Sequence, residues 1–191
     1  MDRRQEKTRE AIFQALSDLL AIKAFSKITV QDIINEANIG RSTFYAHFET
    51  KDDLMDQLCN DMFSHVIMDR FSSEKTHDFS EAGSSLSERL AHLLWHIKDN
   101  ERNVVAMLSG DASELFMVYF KSHLSSLFER YQPVSTTAAH NSEGELPRDL
   151  LLSHLAGSFA EIVRWWIRQD MALTPEQVIR YYYMLMQVPL D

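Results

Sequence analysis

Apolar side chains recur every three or four positions along most of this chain, the period of helices that bury one face. From residue 5 to 25 the stripe is Ile12, Leu16, Leu19, Leu20 and Phe25, with Lys, Glu and Asp between. Ile33, Ile34 and Ala37 form a short second stripe, and Phe44 and Phe48 anchor a third segment. A fourth runs from about 51 to 71 through Leu54, Leu58, Met62, Val66 and Phe71. Leu86, Leu90, Leu93 and Ile97 follow, then a short helix or turn at 101–110. An aromatic-rich run to about Tyr131 contains Phe116, Tyr119, Phe120, Leu124, Leu127 and Phe128. Two more stripes close the chain, one over 150–169 and one through Val178, Tyr181, Tyr182, Leu185 and Met186. Residues 72–84 and 132–146 are polar and without period, and read as loops. The pattern predicts an all-α protein of about nine helices.

Helix starts are written locally. Thr29 with Asp32 has capping-box spacing, and Ile28 with Ile33 can close a hydrophobic staple. The same signal recurs at Thr50 with Asp53, Ser85 with Glu88, Asp111 with Glu114, and Thr174 with Gln177. Pro147 and Pro175 suit first-turn positions. Gly40, after Asn38-Ile39, supplies backbone freedom at a tight turn and an acceptable cap. Residues 28–54 thus read as two short helices joined by a turn, with another helix starting behind them. The segment Arg41–His47 offers Arg41, Ser42, Thr43, Tyr45 and His47 on its outer side, while Phe44 and Phe48 point to the core. A short donor-rich helix anchored by aromatics on a preceding helix is the helix-turn-helix arrangement of DNA readers. Packed on the first helix, it makes a three-helix head over residues 1–50, with a helical body over 51–191.

Composition narrows the class. The chain has 191 residues, 45% hydrophobic, with five Gly and four Pro, which fits a helical globular protein. A single cysteine, Cys59, excludes an internal disulfide framework and suits a reducing cytoplasm. On its helix it reads as a small buried apolar residue or, less simply, a redox sensor. No signal peptide is expected from MDRRQEKTREAI, and the most apolar stretch, 150–167, carries His154, Glu161 and Arg164, so no membrane span is expected. The net charge of −9 at first argues against a nucleic-acid partner, but residues 1–52 hold eight basic and eight acidic residues, leaving the whole deficit to the remainder. An acidic body behind a neutral head would turn the head toward a polyanion. Arg3, Arg4, Lys7 and Arg9 form a local basic cluster, of which Arg3, Arg4 and Lys7 are either a solvated tail or a phosphate or minor-groove contact.

Ala37-Asn38-Ile39-Gly40, Ser42-Thr43-Phe44-Tyr45-Ala46-His47-Phe48 and Lys51-Asp52-Asp53-Leu54 together resemble the DNA-binding signature of the TetR family of bacterial transcription regulators. That resemblance implies a cytoplasmic, dimeric repressor of a near-palindromic operator, governed by an effector held in the body. It implies phosphate contacts from Thr29, Thr43, Tyr45 and Lys51, base-edge or methyl contacts from Ser42 and Ala46, and a fourth helix linking head to body. His47 joins the phosphate-positioning group; the alternative for Tyr45 and His47 is packing within the head. Arg41 is the candidate base reader on chemistry alone, since a guanidinium at the start of a recognition helix pairs bidentately with guanine. A second resemblance, over Gly157–Gln177 and strongest at Trp166-Ile167 and Thr174-Pro175-Glu176, is to the C-terminal domain of the subgroup containing the activator of dihydroxyacetone kinase genes; Asp170 stands where that pattern usually has Gly. The family's body cavity would be lined by Trp95, Met107, Phe116, Tyr119, Phe120, His123 and Phe159, an apolar and aromatic set.

Leu151, Leu155, Phe159, Ile162, Val163, Trp166 and Ile167 span nearly half the circumference of the 150–169 helix. An arc that wide covers more than one neighbour. With Tyr181, Tyr182 and Leu185 of the last helix, these residues predict a homodimer interface in the form of a four-helix bundle. Glu88, His92 and His96 lie four apart, either three metal ligands or ordinary surface side chains; no metal and no other cofactor is expected. The chain has no Gly-rich phosphate loop, no Gly-x-Ser-x-Gly elbow and no zinc-spaced Cys set, so an enzyme is not expected. The alternative to a DNA-reading regulator is a coactivator or adaptor working through protein–protein contact.

Overall fold

Every regular element among the described residues of the computed structural model is helical. These residues are 3–67, 85–99, 101–108, 111–131 and 146–186. The helices are α1 (Arg3–Leu20), α2 (Val30–Glu36), α3 (Arg41–Tyr45), α4 (Lys51–Ile67), α5 (Leu86–Asp99), α6 (Glu101–Leu108), α7 (Ala112–Tyr131), α8 (Arg148–Arg168) and α9 (Pro175–Met186), with a 3₁₀ turn at Phe25–Lys27. The expected loop at 72–84, nearly all of that at 132–146, and Phe71 lie outside the described residues. The chain divides into two compact units, Met1–Asp61 with Asn100–Tyr119, and Met62–Asp99 with Phe120–Asp191.

In the first unit α1 packs on α2 and α6, and α2 on α3. Ile12, Leu16, Ile28, Ile33, Phe44, Phe48, Leu54 and Cys59 are buried there. Phe48 is the centre of an aromatic group, 5.8 Å from Phe44 and 5.6 Å from Phe13 between ring centroids. Each buried phenyl ring contributes about 2–3 kcal/mol. Burial also pushes the Cys59 thiol pKa up, so it stays a protonated packing group.

The starts of the elements follow the sequence closely; their ends do not. Thr29 Oγ1 accepts from Asp32 N–H at 3.1 Å and the Asp32 carboxylate returns to Thr29 N–H at 2.7 Å, a complete capping box. Ser85 with Glu88 and Thr174 with Gln177 close the same box. At Thr50 the cap forms, but Asp53 returns its carboxylate to Glu49 N–H at 2.8 Å. α1 stops at Leu20, and Phe25 reaches the core from the 3₁₀ turn instead of extending that helix. α3 is shorter than the expected 41–47, ending at Tyr45. Gly40 has an ordinary extended backbone (φ −79°), and the left-handed residue in this turn is Asn38 (φ 50°). Asn tolerates that region because its short polar side chain bonds locally, so the turn does not need glycine's freedom.

In the second unit α5 packs against α9, and α9 against α8. α5 is buried nearly all round: Leu90, Ala91, His92, Leu93, Leu94 and even Arg89 have almost no exposed surface. The Arg89 guanidinium lies 3.8 Å from the centroid of the Tyr131 ring, a cation–π contact that offsets part of its desolvation. Phe128, Phe159 and Tyr182 form a triangle, with Phe159 and Tyr182 edge-to-face at 5.2 Å. Tyr182 Oη donates to the Leu155 carbonyl at 3.2 Å and Trp166 Nε1 to the Leu173 carbonyl at 3.0 Å, so both polar tips are satisfied inside. Pro147 is the residue before α8, not its first turn. After α8, Asp170 (φ 53°) and Met171 (φ 48°) are both left-handed, at the place where the resembling pattern has Gly.

Candidate nucleic-acid interface

α3 carries the candidate reading face. Phe44 is fully buried, and this fixes which side of the short helix looks outward. Arg41, Ser42, Tyr45 and Ala46 are exposed, and Thr43 and His47 half-buried, so six of the expected contact residues share one continuous surface. Arg41 makes no side-chain hydrogen bond or ion pair to another described residue, which leaves its guanidinium fork available to a ligand. Tyr45 stands half out, its ring edge-to-face on Phe44 at 5.5 Å, and His47 lies against Phe48 at 6.1 Å. Packing thus orients both rings without enclosing Tyr45.

The other two expected phosphate groups are turned inward. Thr29 gives both its donors, N–H and O–H, to Asp32 Oδ2 at 2.7 and 2.8 Å, and Lys23 Nζ bonds the same oxygen at 2.7 Å. Its donors are thus engaged with Asp32, and Thr29 caps α2 in this structure. Lys51 Nζ donates to the carbonyls of Phe25 (2.7 Å) and Ile28 (3.0 Å) and lies 4.4 Å from the centroid of the Phe25 ring. An ammonium has three donors. At most one remains for a phosphate, and Lys51 is foremost a brace between the start of α4 and the 3₁₀ turn.

The basic cluster also divides. Arg9 forks the Asp61 carboxylate, Nε and Nη2 at 3.0 and 2.9 Å, and donates Nη1 to Gln57 Oε1 at 2.6 Å, with its plane over Phe13 and Phe48. It is a brace between α1 and α4, with three of its five N–H donors engaged there. Arg3, Arg4 and Lys7 are exposed and, with Thr8, Ala11 and Ile39, line a groove of about 640 Å³ beside the turn that precedes α3. Nothing in local sequence separated Arg9 from its neighbours, because Gln57 and Asp61 lie about fifty positions away.

The residues named for an effector cavity are distributed over both units. Met107, Phe116 and Tyr119 belong to the first, where Met107 and Phe116 are buried core, and Tyr119 is half-buried, its phenol pKa raised by burial and by Asp52 and Asp56. In the second, Phe120 and His123 both pack on the Phe63 ring, and Phe159 belongs to the Phe128–Tyr182 triangle. Trp95 donates its indole N–H to Glu176 at 2.9 Å, tying α5 to α9. Glu88 is used in its capping box, while His92 and His96 face each other with Nε2 atoms 3.1 Å apart; His92 is buried and His96 half-buried, so the pair does not lie on the open surface that its spacing suggested.

The expected dimer residues separate into two sets. Leu155, Phe159, Val163, Trp166 and Tyr182 are buried by the protomer's own packing and have no surface to offer a partner. Leu151 and Ile162 are half-buried, and Tyr181 and Leu185 are exposed. Ile162, Trp165, Tyr181, Met184 and Leu185, with Glu161, line an apolar groove of about 480 Å³ between α8 and α9. Trp165 and Met184 were absent from the expected set. No described helix is long and apolar enough to cross a membrane.

This arrangement has known counterparts. Residues 12–58 match the family described as bacterial regulatory proteins, tetR family, and residues 84–188 match a transcriptional regulator C-terminal region of the same group. A TetR transcriptional regulator from Streptococcus agalactiae 2603V, solved by crystallography, is 33% identical, covers 96% of each chain and superposes with a TM-score of 0.60. An uncharacterized HTH-type transcriptional regulator of Bacillus subtilis, YxbF, is 35% identical over 98 residues, 49% of this chain and 25% of that protein. The dhaKLM operon transcriptional activator DhaS of Lactococcus lactis is 34% identical over 62 residues, 32% of this chain and 33% of its own length. A solved DhaS structure shares the fold, with a TM-score of 0.59 at 19% identity over 94% of each chain. The matched stretches thus span a quarter to a third of these two curated relatives, while the Streptococcus structure is matched nearly end to end. The chain belongs to the TetR family of bacterial transcriptional regulators.

Proposed function

We propose that this protein is a sequence-specific DNA-binding regulator of transcription, with no enzymatic activity, that binds a near-palindromic operator as a homodimer. The observation that carries this reading is the outer face of α3: an uncommitted Arg41 beside Ser42, Thr43, Tyr45, Ala46 and His47, held outward by the buried Phe44. Arg41 pairs with guanine in the major groove, and Thr43, Tyr45 and His47 position the duplex through its backbone. Arg3, Arg4 and Lys7 add a sequence-independent attraction that weakens with salt. Ser42 and Ala46 are small and contribute little beyond close approach.

A lean reading face needs two copies to be selective. The groove of Ile162, Trp165, Tyr181, Met184 and Leu185 supports pairing through α8 and α9 across a two-fold axis, because a contiguous exposed apolar patch with two aromatic rings marks an interaction surface. A dimer lying across a promoter excludes the polymerase, which makes repression the direct consequence of binding; a reporter fused to the bound promoter tests that direction, since the matched DhaS is an activator. The second unit would receive an effector, identified as a compound that releases the operator. Fluorescence anisotropy with promoter fragments tests the reading: binding that is specific, competed poorly by random DNA and less selective in Arg41→Ala supports it. Binding with no sequence preference refutes it.

A further inference from the structure

The 3₁₀ turn Phe25–Lys27 begins without a cap of its own. The residue before it, Ala24, has no side chain that can accept a hydrogen bond from the turn's first amides. Those amides are taken instead by a residue 85 and 86 positions on: Phe25 N–H donates to Asp111 Oδ1 at 2.6 Å and Ser26 N–H to Asp111 Oδ2 at 3.0 Å. Asp111 immediately precedes α7, at the spacing that would let it cap that helix, yet both of its oxygens are turned to the 3₁₀ turn. The Ser26 hydroxyl and amide, followed by the Phe25 amide, hold its carboxyl below the usual range.

The opposite end of the same peptide is held by a cation. The Phe25 carbonyl accepts from Lys51 Nζ at 2.7 Å, and the Ile28 carbonyl, where the turn ends, accepts from it at 3.0 Å. Phe25 is therefore gripped at its N–H by an anion just before α7 and at its C=O by a cation at the start of α4. Two residues beyond the turn stands Thr29, the cap of α2, and Lys51 is the first residue of α4. The pair sets where α2 and α4 begin, and α2 in turn carries α3. Carboxylate-to-amide bonds are charge-assisted and directional, so they fix a short segment better than apolar contact does.

We propose that Asp111 is a positioning residue for DNA binding, a cap supplied from outside residues 1–50 that fixes the 3₁₀ turn and, with Lys51, the seating of α2 and α3. The proposal rests on the DNA-reading role of α3. Its sign is diagnostic. A merely superficial acid on a DNA-binding protein repels the duplex, so neutralising it would leave binding unchanged or tighten it. A positioning acid gives the opposite result.

The test uses the full chain as wild type, D111N, D111A, K51A and D111A/K51A, with an operator fragment selected by the wild type. Amide ¹H–¹⁵N spectra follow Phe25 and Ser26, thermal melting follows the fold, and anisotropy follows the operator. D111N and D111A are expected to move the Phe25 and Ser26 amide signals upfield and to weaken operator binding about tenfold, with an unchanged salt slope because no phosphate contact is lost. The double variant is expected to bind no more than slightly weaker than the weaker single, because both side chains act on one peptide. Should D111A lose its fold, the isosteric D111N carries the comparison. Operator binding by D111N equal to or tighter than wild type, with the two amide signals displaced, overturns the proposal, as do unmoved amide signals or additive losses. Failure of the wild type to bind any DNA overturns the DNA reading and the positioning role with it, while the amide shifts still report whether the clamp exists.

Discussion

Lys51 Nζ sits 2.7 Å from the Phe25 carbonyl and 4.4 Å from the centroid of the Phe25 ring. A lysine that the family resemblance assigns to phosphate is thus joined to the protein by two carbonyl bonds and a cation–π contact. Lys51→Ala should lower the stability of the folded chain by about 1–2 kcal/mol, the range for charge-assisted bonds at a half-exposed site. Thermal melting without DNA measures this. A purely phosphate-binding lysine would leave the melting curve unmoved and change only the salt dependence of DNA binding.

Asp32 gives the head a defined acid limit. Its carboxylate accepts from Lys23 and from the amide and hydroxyl of Thr29, and the Lys23 bond, then those of Thr29, lower its pKa to about 2. A carboxyl whose pKa falls on folding stabilises the native state above its ordinary value, near 4, and loses that contribution as pH drops through the folded value. Stability of the head is expected to fall between about pH 4 and pH 2 for this group, and Asp32→Asn should flatten that part of the curve. Urea unfolding at a series of pH values, wild type against variant, shows whether the two profiles differ there.

Two adjacent left-handed residues end α8, and they should respond oppositely to glycine. Asp170 (φ 53°) is exposed, so Asp170→Gly relieves backbone strain and should stabilise by about 0.5–1 kcal/mol. Met171 (φ 48°) is buried, so Met171→Gly gives up packing worth about 2 kcal/mol or more and should destabilise. Differential scanning calorimetry reads both signs; a lower melting temperature for Asp170→Gly would remove the strain argument.

What sequence could and could not disclose follows from the range of each interaction. The boxes at Thr29, Ser85 and Thr174 lie within one helical turn, so residue type and spacing suffice to find them. Asp111 was legible as a helix cap for the same reason, and wrongly so, because the donors that claim it are 85 and 86 positions away. Arg9 looked like one of four basic residues until Asp61 was brought to it by the packing of α1. On α8 the apolar arc was recognised as too wide for one neighbour, but periodicity does not say which edge of an arc faces the protomer's own core. Trp166 proved fully buried, whereas Trp165, about 100° round the helix, is 37% exposed.

That exposed edge makes the dimer testable. Leu185 is 71% and Met184 67% exposed, beside Trp165 and Tyr181. Placing a charge there, as Leu185→Glu, should weaken self-association by about 2 kcal/mol or more, roughly thirtyfold, without unfolding the protomer. Sedimentation equilibrium is the direct measurement. A wild-type monomer, or a dimer indifferent to Leu185→Glu, would place the interface elsewhere or nowhere.

The most direct test of the central claim is selection from a random pool of double-stranded DNA by the wild-type chain and by Arg41→Ala. The account predicts that the wild type enriches a two-fold-symmetric sequence with half-sites one helical turn, ~34–36 Å, or a multiple apart. Arg41→Ala should lose preference at one guanine in each half-site, worth ~1–3 kcal/mol, while the remaining positions persist. No enriched sequence for the wild type at low salt, or an identical motif from Arg41→Ala, would contradict it.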